Sequence, residues 1–206
     1  MHAVEDSIEA GWHVYPAFHR GSTETRLFVF FAANDYGKGS CYNTKCGFVQ
    51  VHRTITPGMI LAASTYDGTQ EEITLSVYKN DTSGDWWLGY EDSNGYVSVG
   101  YWPENLFNTL AKDANRIDWG EETDSFVKPG VTYGPMGSGR FPSEGYKKAA
   151  YMRNMKVIDS SMQFVDAPSN LMPYTPTPQC YELGDNPADV AMIGPHFYFG
   201  GPGGTC

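Results

Sequence analysis

Punctuation constrains this chain more than anything else: its apolar stretches are short, and Gly, Pro, Asn or Asp interrupt them throughout. With 23 glycines and 13 prolines among 206 residues, many turns are required and long helices are disfavoured. The longest apolar run extends only from Leu27 to Ala33, far too short to cross a membrane. Between the turn signals the sequence is strand-like. Residues 12–15, 26–33, 47–52, 59–63 and 71–78 are rich in β-branched or aromatic side chains. Within the last of these, Ile73, Leu75 and Val77 alternate with Thr74, Ser76 and Tyr78, the period of a strand with one buried face. Residues 85–90 and 96–102 flank Glu91-Asp92-Ser93-Asn94-Gly95, whose Asn-Gly step predicts a hairpin.

The remaining segments extend the same pattern. Residues 103–114 predict a helix, with Pro103 early and Leu106, Phe107 and Leu110 on one side. Residues 116–122, 149–159, 162–165 and 196–200 are again extended in character. Thr175-Pro176-Thr177-Pro178 reads as a turn rather than a boundary, because strand-like sequence resumes beyond it. The expectation is an all-β fold: an antiparallel β-sandwich with one short helix and loop-rich connections, as a single domain over residues 1–206.

Charge narrows the function classes. The net charge is −10, which argues against a nucleic-acid binder, since a phosphate backbone calls for a basic face. Only 18% of residues are charged while 15% are aromatic, the reverse of a disordered chain. Membrane association is not expected either.

The four cysteines form a close pair, Cys41 and Cys46, and a distant one, Cys180 and Cys206. Neither stands at zinc-site spacing. Three connectivities are open; local pairing is the economical one, and a bridge at Cys206 would tie the Gly-rich tail to the body. The sequon Asn80-Asp81-Thr82 fits secretion. The first residues, Met1-His2-Ala3-Val4-Glu5-Asp6, lack the basic and apolar regions of a signal peptide, so a secreted protein would be represented here by its mature form.

Several familiar sites are excluded. The Gly-Ser-Gly at 137–139 lacks the outer glycines of a nucleophile elbow, their places taken by Met136 and Arg140. Gly200-Gly201-Pro202-Gly203-Gly204 has no lysine and no following helix, so it is no phosphate loop. The histidines at 2, 13, 19, 52 and 196 show no helix-borne metal spacing, and His13 reads as a surface or capped residue on a strand. Carboxylate chemistry remains. Glu9, Glu122 and Glu144 each lie among Gly and aromatic neighbours, where partial drying raises a carboxyl pKa. Two such groups sharing a proton can act as base and acid toward water and a carbonyl. Spacing alone does not select the pair.

Six motifs then carry a resemblance. Ile8-Glu9-Ala10-Gly11-Trp12 is followed by Cys41-Tyr42-Asn43-Thr44-Lys45-Cys46-Gly47-Phe48-Val49-Gln50, Asp85-Trp86-Trp87 and Val99-Gly100-Tyr101-Trp102-Pro103. Met136-Gly137-Ser138-Gly139 and Phe197-Tyr198-Phe199-Gly200-Gly201-Pro202-Gly203 complete the series. In this order they resemble the neprosin family of glutamic peptidases. That resemblance implies a secreted β-sandwich enzyme, a prolyl endopeptidase that cleaves after proline in acid with two glutamates and a water. It implies no metal and no cofactor, proline-rich peptide or protein substrates, local disulfide pairing, and a removable N-terminal propeptide outside this chain. By the family motifs the first catalytic glutamate is Glu9 and the second Glu122, in Trp119-Gly120-Glu121-Glu122. Glu121 stands where the family has a second glycine, which makes it a rival for the role. Glu144 is held in reserve, near Arg140 where a histidine is usual. Two alternatives stay open: a carbohydrate-binding or glycan-cleaving β-sandwich, and an inactive extracellular binding module.

Overall fold

The computed structural model describes residues 6–33, 39–92, 95–123 and 132–206. The fold is all-β, built of antiparallel sheets, and the chain divides into two compact units. The first comprises Met1–Ala63 and Glu71–Arg116; the second comprises Ser64–Gln70 and Ile117–Cys206.

In the first unit, β1 (Ser7–His13), β2 (Arg26–Ala32) and β3 (Cys41–Tyr42) form one sheet in that order. A second sheet has the order β4-β7-β6-β5, from Val49–Gln50, Gly95–Trp102, Trp86–Asp92 and Thr74–Lys79. The sheets bury one shared core. Val29 and Phe31 come from the first; Trp86, Leu88, Val99 and Trp102 come from the second. Trp102 is fully buried, and the Phe48 ring meets it edge-on at 4.8 Å. Two alternate residues of β1, Ile8 and Ala10, pack on this core, so Glu9, Gly11 and His13 belong to the opposite face. The β6–β7 hairpin pairs Asp92 with Gly95, as the Asn-Gly signal predicts; Ser93 and Asn94 themselves lie outside the described residues.

The helix expected over 103–114 does not form. The segment has one 3-10 turn, Glu104–Leu106, and then turns. Its apolar residues still face the core, where Phe107 is buried and Leu106, Leu110 and Ala111 pack against it. The polar residues explain the change. Asn108 and Thr109 are weak helix formers, and their amides are taken by the Asp6 carboxylate at 2.7 and 2.6 Å, with Leu110 N at 3.2 Å. The Leu110 carbonyl meanwhile accepts from Trp86 Nε1 at 2.8 Å. Burial alone would raise the Asp6 pKa, but these donors bring it below the ordinary carboxylate value. Other departures are local. Residues 59–63 give only an isolated bridge, Arg26 to Ile60, and residues 116–122 form no strand.

The second unit pairs β8 (Thr132–Tyr133) with β14 (Gly204–Thr205) and β10 (Lys156–Ile158) with β11 (Phe164–Asp166). Its third sheet has the order β12-β13-β9, from Glu182–Gly184, His196–Gly200 and Ala150–Arg153. The one α-helix among the described residues, α1, covers Val190–Ile193. Tyr198 is fully buried and donates to Asp189 Oδ2 at 2.7 Å. Disulfides join Cys41 to Cys46 and Cys180 to Cys206, the local pairing expected. No helix among the described residues is long and apolar enough to cross a membrane.

Candidate active site

Glu9 sits mid-strand in β1, directly opposite Phe30 of β2, on the face turned from the core. Phe30 in turn faces Tyr42 of β3, their rings 4.6 Å apart. One row further, Gly11 lies opposite Phe28. A methyl group on Gly11 would press on that ring, 3.2 Å from Phe28 Cε1, so the glycine lets Phe28 lie across the strand without shifting. In the third row His13 stacks on Phe28, centroids 4.9 Å apart and planes 5° from parallel. Glu9 is thus a half-buried carboxylate at one end of an aromatic strip.

His13 is no simple surface histidine. Its Nε2 shares a hydrogen bond with His19 Nε2 at 2.8 Å, and burial, helped by the charges of His19 and Arg26, lowers its pKa to about 4. The alternation of β1 could have placed it on the same face as Glu9; nothing local announces His19 as its partner.

The second unit carries the other candidate acids. Trp119-Gly120-Glu121-Glu122 is irregular, and the two glutamates differ sharply. The Glu122 side chain is exposed. Glu121 turns inward: Oε2 is buried and accepts no hydrogen bond among the described residues. Burial pushes this carboxyl up to about 7, although the Gly137 amide lies near enough to favour the charged form somewhat. Gly137 is the second residue of the Met136-Gly137-Ser138-Gly139 turn, closed by Gly139 N donating to Met136 O at 2.9 Å. The turn is anchored where Met136 N donates to Gly201 O at 2.9 Å, so two family motifs meet here.

Glu144 is occupied otherwise. It ends a 3-10 turn, Pro142–Glu144, where Oε2 accepts from Tyr66 Oη at 2.8 Å and Oε1 lies 3.8 Å from Arg140 Nη1. The same guanidinium sits over the Tyr66 ring at 4.8 Å, and the bond to Glu144 raises the Tyr66 pKa. This is a surface network that holds Glu144 in place. No cluster of three His, Cys, Asp or Glu side chains among the described residues is arranged to hold a metal.

The motifs around these carboxylates are those of one family, and the Neprosin family model matches residues 2–202. The chain belongs to the Neprosin family. The match takes in both units, Glu9, the Glu121-Glu122 step and the turn beneath it. Neprosin membership supports a peptidase, and the two disulfides fit an oxidising, extracellular setting.

Proposed function

We propose that this Neprosin-family protein is a secreted glutamic endopeptidase that hydrolyses bonds on the carboxyl side of proline, with Glu9 and Glu122 as its catalytic pair. The observation that carries most weight is the position of Glu9. A strand whose other face builds the core presents one carboxylate beside a strip of aromatic rings. Such a strip suits proline, a compact ring with fixed φ and no N–H to satisfy. In this reading Glu9, ionised, draws a proton from water as the oxygen attacks the prolyl carbonyl. The second glutamate, protonated, gives its proton to the departing amide nitrogen. Proline-rich peptides are the substrate class, and a propeptide would be the partner in the precursor.

One observation favours a variant of this reading. Glu121, rather than Glu122, has the dry carboxyl, and burial keeps it protonated up to about pH 7. A group that must donate a proton is better served by such a setting. The deciding experiment is digestion in acid of a peptide containing one Pro and several Ala at matched positions, with product masses. Cleavage mainly after Pro is expected, with a strong but not absolute preference over Ala. Cuts spread evenly over both residues would leave a general acid peptidase. No cuts, with hydrolysis of an oligosaccharide panel, would overturn the peptidase in favour of a glycan-cleaving sandwich.

A further inference from the structure

The far end of the Glu9 face gathers basic side chains in a chain whose balance is strongly negative. His13 and Arg26 are cross-strand partners in the third row from Glu9. Arg26 is held in place, Nη1 donating to Gly58 O at 2.7 Å and Nη2 to Ser22 Oγ at 3.4 Å, while its buried Nε has no partner among the described residues. His19 reaches His13 from the turn that follows β1. Lys45, from the loop closed by the Cys41–Cys46 bridge, lays its ammonium 3.9 Å above the Phe18 ring, and Phe18 packs edge-on against His19 at 4.9 Å. Four basic side chains therefore converge on one aromatic corner.

No carboxylate among the described residues pairs with any of the four. The consequence is visible in the histidines. Burial lowers both pKa values, and the charges that act on them are positive: His19 and Arg26 on His13, Arg26 and Lys45 on His19. A cation is therefore repelled here, which disfavours a metal between the two imidazoles. An anion would relieve the repulsion, and the surrounding rings would shield the contact from water.

We propose that the corner formed by His13, His19, Arg26 and Lys45 is a substrate subsite that receives an acidic side chain of the peptide. This rests on Glu9 acting at the scissile bond. His13 lies four residues along the strand from Glu9, about 13 Å at strand rise, and a bound peptide in extended conformation advances by the same step. The acidic residue should therefore stand three to four positions from the bond that is cut. Enzyme and substrate would then be matched twice over: by a prolyl ring beside Glu9 and by a carboxylate at the basic corner.

The test is a set of single-proline peptides in which one position at a time, up to four residues on either side of the bond, carries Asp or Asn. Assays at about pH 5 keep the aspartate ionised, above its free pKa of about 3.9. The expected result is a roughly two- to tenfold higher kcat/KM for Asp than Asn at three or four residues' distance, expressed mainly in KM and weakened by salt. The ratio should fall toward one in His19→Gln/Lys45→Gln protein. A ratio near one at every position, with cleavage after proline intact, overturns the subsite and leaves the peptidase standing. If no peptide is cut, the peptidase reading falls, and the imidazole resonances of His19 decide the subsite by themselves. Raised His19 pKa on adding the Asp peptide but not the Asn peptide supports it; equal titration with both refutes it.

Discussion

Glu121 lies against Gly137: the ideal position of a side chain on Gly137 falls 3.4 Å from Glu121 Oε2, an oxygen that is buried and accepts no hydrogen bond among the described residues. This relationship ties the electrostatics of the Trp-Gly-Glu-Glu segment to the shape of the Met-Gly-Ser-Gly turn. Its clearest consequence is a dependence of stability on pH. Burial raises the Glu121 pKa from 4.5 to about 7, so between those values the native state keeps a proton that the unfolded chain has released. Stability therefore falls as pH rises from about 4.5 to about 7, and the loss is complete above the folded value. Holding one proton across a full pH step is worth about 1.4 kcal/mol, so the whole window costs at most about 3.4 kcal/mol. Glu121→Gln should remove this slope. Denaturant titrations of both proteins across the window would check it, and parallel curves would contradict the dry carboxyl.

Gly137 itself should resist substitution. Its φ is +62°, which costs any residue with a Cβ, and an added methyl would come within 2.7 Å of Ala150 Cβ. Gly137→Ala is expected to destabilise by about 1–3 kcal/mol, from backbone strain and overpacking together. Thermal unfolding of the purified variant measures this directly. An unchanged midpoint would mean that the turn is not held against β9 as described.

Such contacts were only partly legible beforehand. The alternation at residues 73–78 and the Asn-Gly step announce β5, β6 and β7, because half-buried strands write their two faces into every second residue. The same rule places Glu9 opposite the core once Ile8 and Ala10 are taken as inward-facing. Residues 103–114 misled because their apolar spacing serves a helix and a core-covering turn equally well. What decided between them was Asp6, about a hundred residues away in sequence and invisible to any local pattern. Strands as short as Glu182–Gly184 are likewise created by their partner, here β13. Between Glu121 and Glu122 there was no periodicity to consult, since the chain is irregular there. The family motif points to one residue and burial singles out the other.

The Cys180–Cys206 bridge should matter more to stability than Cys41–Cys46. It closes a loop across 26 residues rather than 5, which by chain entropy is worth about 3.5 against about 2 kcal/mol. It also secures the end of β14, a two-residue strand whose pairing to β8 is short, beside a small core of Tyr133, Cys180 and Tyr181. Cys180→Ser/Cys206→Ser is expected to lower the unfolding midpoint more than Cys41→Ser/Cys46→Ser. Amide exchange at Thr205 should rise in the first double variant. The reverse order of midpoints would show that the close bridge, at the edge of the Glu9 sheet, carries the greater constraint.

The proposed catalytic pair is tested by three substitutions read together. Gln preserves the size of a glutamate side chain and much of its hydrogen bonding but cannot take up or release a proton at these pH values. Glu9→Gln should abolish hydrolysis of a single-proline peptide while leaving the fold intact by circular dichroism, because the aromatic strip beside it does not depend on the charge. Glu122→Gln should do the same if the motif names the acid. If instead Glu122→Gln cleaves and Glu121→Gln does not, the proton comes from the buried neighbour. The pH–rate profile separates these cases independently. A donor at Glu121 stays protonated until about pH 7, so activity governed by it would persist toward neutrality and fall through that value. A pair sharing one proton at ordinary carboxylate values would lose activity well below it, as the second group ionises. Activity retained by all three variants would exclude a glutamic mechanism, whichever residue the profile favoured.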